Sequence, residues 1–207
     1  MIKVQVLVSI KNRTEYSKFD QLRSLLSRTK KYSFDWQPIM GPVIELNLNN
    51  SVVDSDKERP VLPPVDYFLS LHTDMDVKRT HIYDLLEHSI KDNLDILGAL
   101  YLRNMPENAK GHTIFEASYD GQSFVDKQES GVRPCKVVGS NCLLIKKAVF
   151  EKLDNPWFET SWLRQNGEVQ HINHDVIFCA KATNAGFAVA VDHDVVVRNN
   201  LSYHLGG

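Results

Sequence analysis

The chain has 207 residues, of which 43% are hydrophobic and 24% charged, with a formal net charge of −2 and a pI near 6.4. That length makes one domain with a core that needs no disulfides, and the charge balance excludes the basic footprint of a nucleic-acid binder. No run of residues approaches the apolar length that spans a bilayer.

The opening residues, Met1 to Ser9, are too short and too interrupted for a signal peptide and read as a first strand running to Ile10. Lys11-Asn12-Arg13 is its exit loop, and Thr14 is a good N-cap for a helix over residues 14–30, where Tyr16, Phe19, Leu22, Leu25 and Leu26 recur at helical spacing. Tyr32 to Trp36 alternates as a second strand. Met40-Gly41-Pro42 breaks the chain, residues 43–53 fit either a strand or a helix, and Pro60, Pro63 and Pro64 close a loop. A strand from Val65 leads into Asp74 and Asp76, after which Thr80 caps a helix carrying Ile82, Leu85, Leu86 and Ile90. Asp95 to Leu102 reads as a buried strand.

Residues 103–134 are polar and carry turn signals at Asp120-Gly121 and Ser130-Gly131, the mark of a hairpin or a long functional loop. Lys136 to Gly139 leads into a strand Cys142 to Ile145 and a short helix from Lys146 to Leu153. A helix over residues 173–185 ends at Gly186. Phe187 to Val191 and Val195 to Val197 are final strands, with Asp192-His193-Asp194 between them as a hairpin or strand edge. Strands alternating with helices argue an α/β fold, a mostly parallel central sheet flanked by helices. Cys135, Cys142 and Cys179 are an odd set without zinc spacing and read as reduced thiols of a cytoplasmic protein. The last residues, Leu205-Gly206-Gly207, are compatible with a cut at a domain edge of a longer chain.

The chain holds three Asp-x-Asp triplets: Asp54/Asp56, Asp74/Asp76 and Asp192/Asp194. The first reads as a solvated turn. Only Asp74/Asp76 closes a buried-looking strand, the run from Val65. Residues i and i+2 at a strand end share a face, so both carboxylates can aim at one point. Two hard oxygen donors there suit Mg²⁺ or Mn²⁺ holding a phosphate, at the strand ends where open α/β sheets take their ligands. Their plain alternative is strand-end capping.

Further on come Ile96 to Tyr101, Val138-Gly139-Ser140-Asn141-Cys142, Pro156-Trp157-Phe158, His174-Asp175, Ala185-Gly186-Phe187, Val191-Asp192 and a late His204. In this order the motifs resemble GT-A glycosyltransferases of the family-two type, especially compact ones of phages and large DNA viruses, the glycosyltransferase domains of algal viruses among them. The resemblance runs from Val65 onward and is looser before it. It implies a single GT-A domain over residues 1–207, with a nucleotide-binding half over about 1–102 and an acceptor and catalytic half over about 103–207. It implies that Asp76 is a direct ligand of Mn²⁺ or Mg²⁺ on the diphosphate of a sugar nucleotide, with Asp74 on the ribose or reaching the metal through water. His204 matches a histidine that in many relatives joins the metal or diphosphate.

Asp175 matches the second acid of the family's catalytic pair, the base that takes the acceptor hydroxyl's proton in an inverting transfer. His174 stands where the family has the first acid, and His171 and His174 remain alternative bases. At a helix start Asp175 also simply favours the helix dipole. Asp35, placed at the end of the second strand, matches an acid that accepts from the uracil ring, which favours UDP. Lys11 and Arg13 would wrap the base or ribose. Asn50 falls near a family Arg-Asn pair whose arginine is here Asn49. Ser140 and Asn141 match residues close to the donor sugar. Trp157 and Phe158 form either an acceptor-sugar platform or part of the core.

The expectation is a metal-dependent transfer of a sugar from a UDP-sugar to a hydroxyl of a glycan or glycoprotein, in the cytoplasm (of the host, for a viral protein). Two other readings stay open. One is a nucleotidyltransferase, disfavoured because Ser9 to Arg13 lacks a glycine-rich phosphate loop. The other is a non-catalytic sugar-nucleotide or glycan-binding module, which His174 in place of an acid supports.

Overall fold

The computed structural model of the chain describes residues 1–10, 16–26, 30–40, 48–50, 52, 62–103, 114, 115, 117, 118, 129–165 and 167–198. In chain order the elements are β1 (Ile2–Ile10), α1 (Tyr16–Leu26), β2 (Tyr32–Met40), β3 (Tyr67–His72), α2 (Arg79–Lys91) and β4 (Ile96–Arg103). Short strands β5 (Ile114–Phe115), β6 (Ala117–Ser118), β7 (Val132–Pro134) and β8 (Val137–Val138) follow. The chain continues through β9 (Cys142–Lys146), α3 (Lys147–Lys152), β10 (Ser161–Gln165), β11 (Glu168–Ile172), α4 (His174–Asn184) and β12 (Val189–Arg198).

Among the described residues the main sheet runs β2-β1-β3-β9-β4-β12-β7, with β5 added on β4. β1 pairs parallel with β2 and β3, and β12 parallel with β4. β9 lies antiparallel between β3 and β4. The carboxyl ends of β1 and β3 therefore meet at one rim, and the start of β9 joins them there. The sheet is mixed, and mostly parallel in its long strands, as alternation of strands and helices predicts.

The two-residue period of each strand sorts side chains to opposite faces. Val4, Val6 and Val8 of β1 and Leu69 and Leu71 of β3 pack with Leu26 of α1 and Ile82, Leu85 and Leu86 of α2. Leu7 and Phe68 face the other way, into a core with Phe150 of α3 and Phe178, Cys179 and Ala182 of α4. Each such fully buried apolar side chain contributes about 1.5–3 kcal/mol. The second face admits one close approach. A Cβ built on Gly98 of β4 would collide with Cγ2 of Val138, which is itself fully buried. Gly98→Ala is therefore expected to destabilise the protein by about 1–3 kcal/mol through overpacking, read as a lower urea midpoint at unchanged slope.

Several boundaries differ from the sequence expectation. Thr80 is not the cap of α2, because Lys78 holds that position and its N–H donates to His81 Nδ1 at 3.3 Å. Burial lowers the His81 pKa, with Lys78 adding to the effect, which keeps that ring neutral and able to accept. β2 runs on to Met40, so Asp35 lies within the strand and not at its end. The two expected final strands are one, β12, whose register on β4 jumps between Asp192 and Val196. The bulge buries Asp192 and His193 completely. Asp192 Oδ2 lies 2.6 Å from His88 Nδ1 of α2, and that bond raises the His88 pKa. Asp192 Oδ1 accepts the Asp194 N–H at 3.0 Å, so the third acidic triplet is structural. At the end of α4, Gly186 takes φ +91° and Phe187 N–H returns to the Ala182 carbonyl at 3.0 Å, the C-terminal stop that its sequence predicts. Among the described residues no helix is long and apolar enough to cross a membrane.

Candidate active site

The acidic pair sits at the rim where β1 and β3 end. The Thr73 N–H and hydroxyl both donate to the Ser9 carbonyl at 3.1 Å, and Met75 N–H returns to the His72 carbonyl at 3.1 Å. Asp76 N–H donates to the Arg198 carbonyl at 2.8 Å, pinning the turn to the end of β12. The turn is thus anchored through its backbone on the ends of β1 and β12. Asp74 is 5% exposed and buried with His72, Thr73 and Met75, whereas Asp76 is exposed.

A second turn, Ser140-Asn141, sits beside the first. His72 N–H donates to the Asn141 carbonyl at 3.0 Å, the antiparallel contact that starts the β3–β9 pairing. Ser140 is buried, and its Oγ lies 2.9 Å from His174 Nε2. This short chain of contacts carries the rim across to the first residue of α4. There the His174 ring also meets Phe158 edge-on, with centroids 6.2 Å apart. Asp175, the next residue, is half-buried, and its Oδ1 accepts the Val176 N–H at 2.9 Å. Burial raises its pKa, against the lowering influence of His174 and backbone N–H groups. A carboxylate held above its usual range is better poised to take a proton near neutrality.

The strand period reveals polar residues that sequence reasoning passed over. Ser9 of β1 and Ser70 and His72 of β3 are buried on the same face as Leu7 and Phe68, the face that α3 and α4 cover. Among the described residues the Ser9 and Ser70 hydroxyls meet no hydrogen-bond partner. The signal was present as Ser70-x-His72-x-Asp74-x-Asp76, a polar step of two inside an otherwise apolar run. By the same period Asp35 shares this face, level with Gln5 and with Phe68. It lies four residues short of the level of His72, a separation of about 13 Å along the strands. Asp35 Oδ1 accepts from its neighbour Trp36 N–H at 3.0 Å. A groove of about 500 Å³ at the sheet edge, lined by Asp20, Arg23, Ser24, Phe34, Asp35 and Trp36, does not include the acidic turn.

One expectation is corrected. Trp157 and Phe158 are 5% and 2% exposed and cannot present a ring face to a sugar. Phe158 stacks on Phe178 at 4.6 Å, and Trp157 meets Phe150 edge-on at 5.3 Å. They are core because they pack between Phe150 of α3 and Phe178 of α4. The residue doing work beside Asn50 is Asn49, which is buried. It accepts the Phe158 N–H at 2.9 Å and donates to the Phe158 carbonyl, while Asn50 is exposed. Lys11, Arg13 and His204 lie outside the described residues. His171 is exposed on β11. The three cysteines are free and buried. Burial pushes the Cys142 and Cys179 thiols up to about 12, and Cys135 up as well, so none is a thiolate nucleophile at neutral pH.

Asp74 and Asp76 fit a divalent cation by donor chemistry, since both are hard oxygens at one turn. Among the described residues no third His, Cys, Asp or Glu completes a cluster. Such a pair suits an ion that takes its other ligands from phosphate oxygens and water. No family model and no curated protein sequence matches the chain. Solved structures do. A197 from STIV matches with a TM-score of 0.53 at 12% identity, over 92% of this chain and 81% of that one. GalNAc-T7, solved with UDP, GalNAc and Mn²⁺, matches with a TM-score of 0.54 at 9% identity, over 96% of this chain and 44% of its own length.

The fold is GT-A-like. At these identities the likeness is one of architecture, and function has to be argued from the site. The chain spans less than half the length of GalNAc-T7.

Proposed function

We propose that the protein is a metal-dependent glycosyltransferase that moves a sugar from a UDP-sugar to a hydroxyl of a glycan acceptor with inversion. One observation carries the reading: at one rim of a GT-A-like sheet the Asn141 carbonyl takes the His72 N–H at the foot of the acidic turn, and Ser140 bonds to His174, the residue before Asp175. Asp76, exposed, and Asp74, buried beside it, would hold Mn²⁺ or Mg²⁺ with the donor's diphosphate; His204 is the candidate third ligand. The metal, when bound, supplies positive charge that stabilises the leaving nucleoside diphosphate. Asp35 lies on the same sheet face as Ser9 and His72, whose strands end at the acidic turn, and is proposed to accept from the uracil ring. Lys11, Arg13 and Asn50 are proposed for the base, ribose and phosphates, and Ser140 and Asn141 for the donor sugar. Asp175 receives the proton of the acceptor hydroxyl, and His174, held by Ser140 and Phe158, positions the start of α4. Three free thiols suit a reducing compartment such as the cytoplasm.

The test is a panel of nucleotide sugars scored by calorimetry with and without manganese. UDP-sugars are expected to bind with manganese dependence and to hydrolyse slowly without acceptor. Preference for GDP- or CMP-sugars would remove the role given to Asp35. Binding without hydrolysis or transfer to any acceptor would favour a non-catalytic sugar-nucleotide-binding module, the reading that His174 in an acid's place supports.

A further inference from the structure

Among the described residues, the large apolar side chains most exposed beyond the N-terminus concentrate on one ribbon. Trp162 is 69% exposed, Val169 54% and Leu163 46%. All three lie on the hairpin β10–β11, whose strands pair with each other and with no other strand among the described residues. Trp162 stands directly opposite His171, and their rings lie 4.7 Å apart at a 52° tilt. Arg164 and Val169, the other pair on that face, are exposed as well. Trp162 and Val169 thus gather exposed apolar surface on one face of the ribbon, and a patch of that kind marks an interaction site. The ribbon also has a fixed relation to the candidate base. β11 ends at Ile172 and Asn173 leads straight into His174 and Asp175. His171 and Asp175 are four residues apart, on the order of 10–13 Å, the reach of about two sugar rings.

We propose that the Trp162–His171 face of the hairpin is the acceptor-binding surface, and that it seats a hydroxyl-rich saccharide chain whose reactive end lies at Asp175. This rests on the transferase reading above. A pyranose has an apolar C–H face and a rim of hydroxyls. The indole takes the face, while the Arg164 guanidinium and the imidazole of His171 supply hydrogen bonds to the rim. The chain continuity from β11 into α4 is what ties this face to a glycan and not to an arbitrary partner. A substrate lying along the ribbon is led to the carboxylate that must receive its proton. Trp157 and Phe158, the aromatics first suggested by the sequence, are enclosed in the core, whereas Trp162 is exposed on the hairpin that leads to Asp175.

The experiment compares wild type, Trp162→Ala and Trp162→Phe, each loaded with UDP and manganese, on an array of neutral oligosaccharides. Donor hydrolysis by the wild type and light scattering of all three proteins are measured alongside. Trp162→Ala is expected to weaken retention of the bound glycan, or raise the acceptor KM, roughly five- to tenfold, with Trp162→Phe keeping most of the affinity. Equal retention by wild type and Trp162→Ala would overturn the assignment. So would a wild type that hydrolyses its donor yet retains no glycan, which leaves the transferase reading standing. A wild-type dimer that becomes monomeric in Trp162→Ala overturns it in favour of self-association. Absence of donor binding and hydrolysis in the wild type sinks the transferase reading itself, and the acceptor surface with it.

Discussion

Replacing Asp76 by alanine is expected to weaken UDP binding in manganese by at least about 100-fold, the scale of losing a charged ligand worth about 3 kcal/mol. The turn itself is held by backbone contacts, Asp76 N–H to the Arg198 carbonyl and Thr73 to the Ser9 carbonyl, so its shape survives the loss of the side chain. Asp76 is exposed, and a surface substitution of this kind shifts stability by no more than about 0.5 kcal/mol. A loss of nucleotide affinity at unchanged thermal midpoint therefore reads the carboxylate and not the fold. Chelating the metal from wild type is expected to reproduce the effect. Asp74→Asn, at a buried position, is expected to cost less affinity than Asp76→Ala if, as proposed, Asp74 serves the ribose or reaches the ion through water. The measurement is calorimetric titration of UDP with and without manganese. A variant Asp76→Ala that binds UDP with wild-type metal dependence removes the acidic turn from the donor site.

Asp175→Asn is expected to lower kcat by about 10²–10⁴, the contribution of a positioned general base, with UDP affinity unchanged. The isosteric amide keeps an oxygen for the Val176 N–H that now reaches Oδ1, so the start of α4 is preserved. The pH profile gives a second readout. Burial raises the Asp175 pKa, and only the ionised carboxylate can take a proton. Activity should therefore fall as pH drops through that raised value, at a pH above the ordinary aspartate range. The low residual rate of Asp175→Asn should lack this acidic limb. Retention of the limb in the variant would move the base to another group, with His174 the nearest candidate.

How much of this was legible beforehand differs from element to element. β3 and its acidic end were readable because a short apolar run has few ways to be buried, and a two-residue step fixes which side chains share a face. The helix ending at Gly186 was readable because a left-handed C-terminal residue has a local steric cause. Thr80 failed as a cap for a reason equally local but less common, since His81 supplies the acceptor from inside the helix. The hairpin β10–β11 was missed although Asn166-Gly167 is a strong hairpin dipeptide. Its strands are too polar for hydrophobic patterning to mark them. Asp35 was assigned to a strand end from the length of its apolar alternation, and the strand proved longer because pairing with β1 continues to Ile10 and Met40.

The amino-acid sequence alone determined the alternating α/β class, the acidic turn at a strand end, and the pairing of His174 with Asp175 at a helix start. Those features depend on neighbours in the chain, through backbone sterics and side-chain period. Tertiary structure alone decided that Ser140 and Asn141 link the turn to α4, and that Trp157 and Phe158 are core while Trp162 faces water. It also made the third acidic triplet a bulge bonded to His88. Burial and proximity between residues distant in sequence are set by how layers pack, and no local pattern of residues records which side of a sheet a later helix will cover.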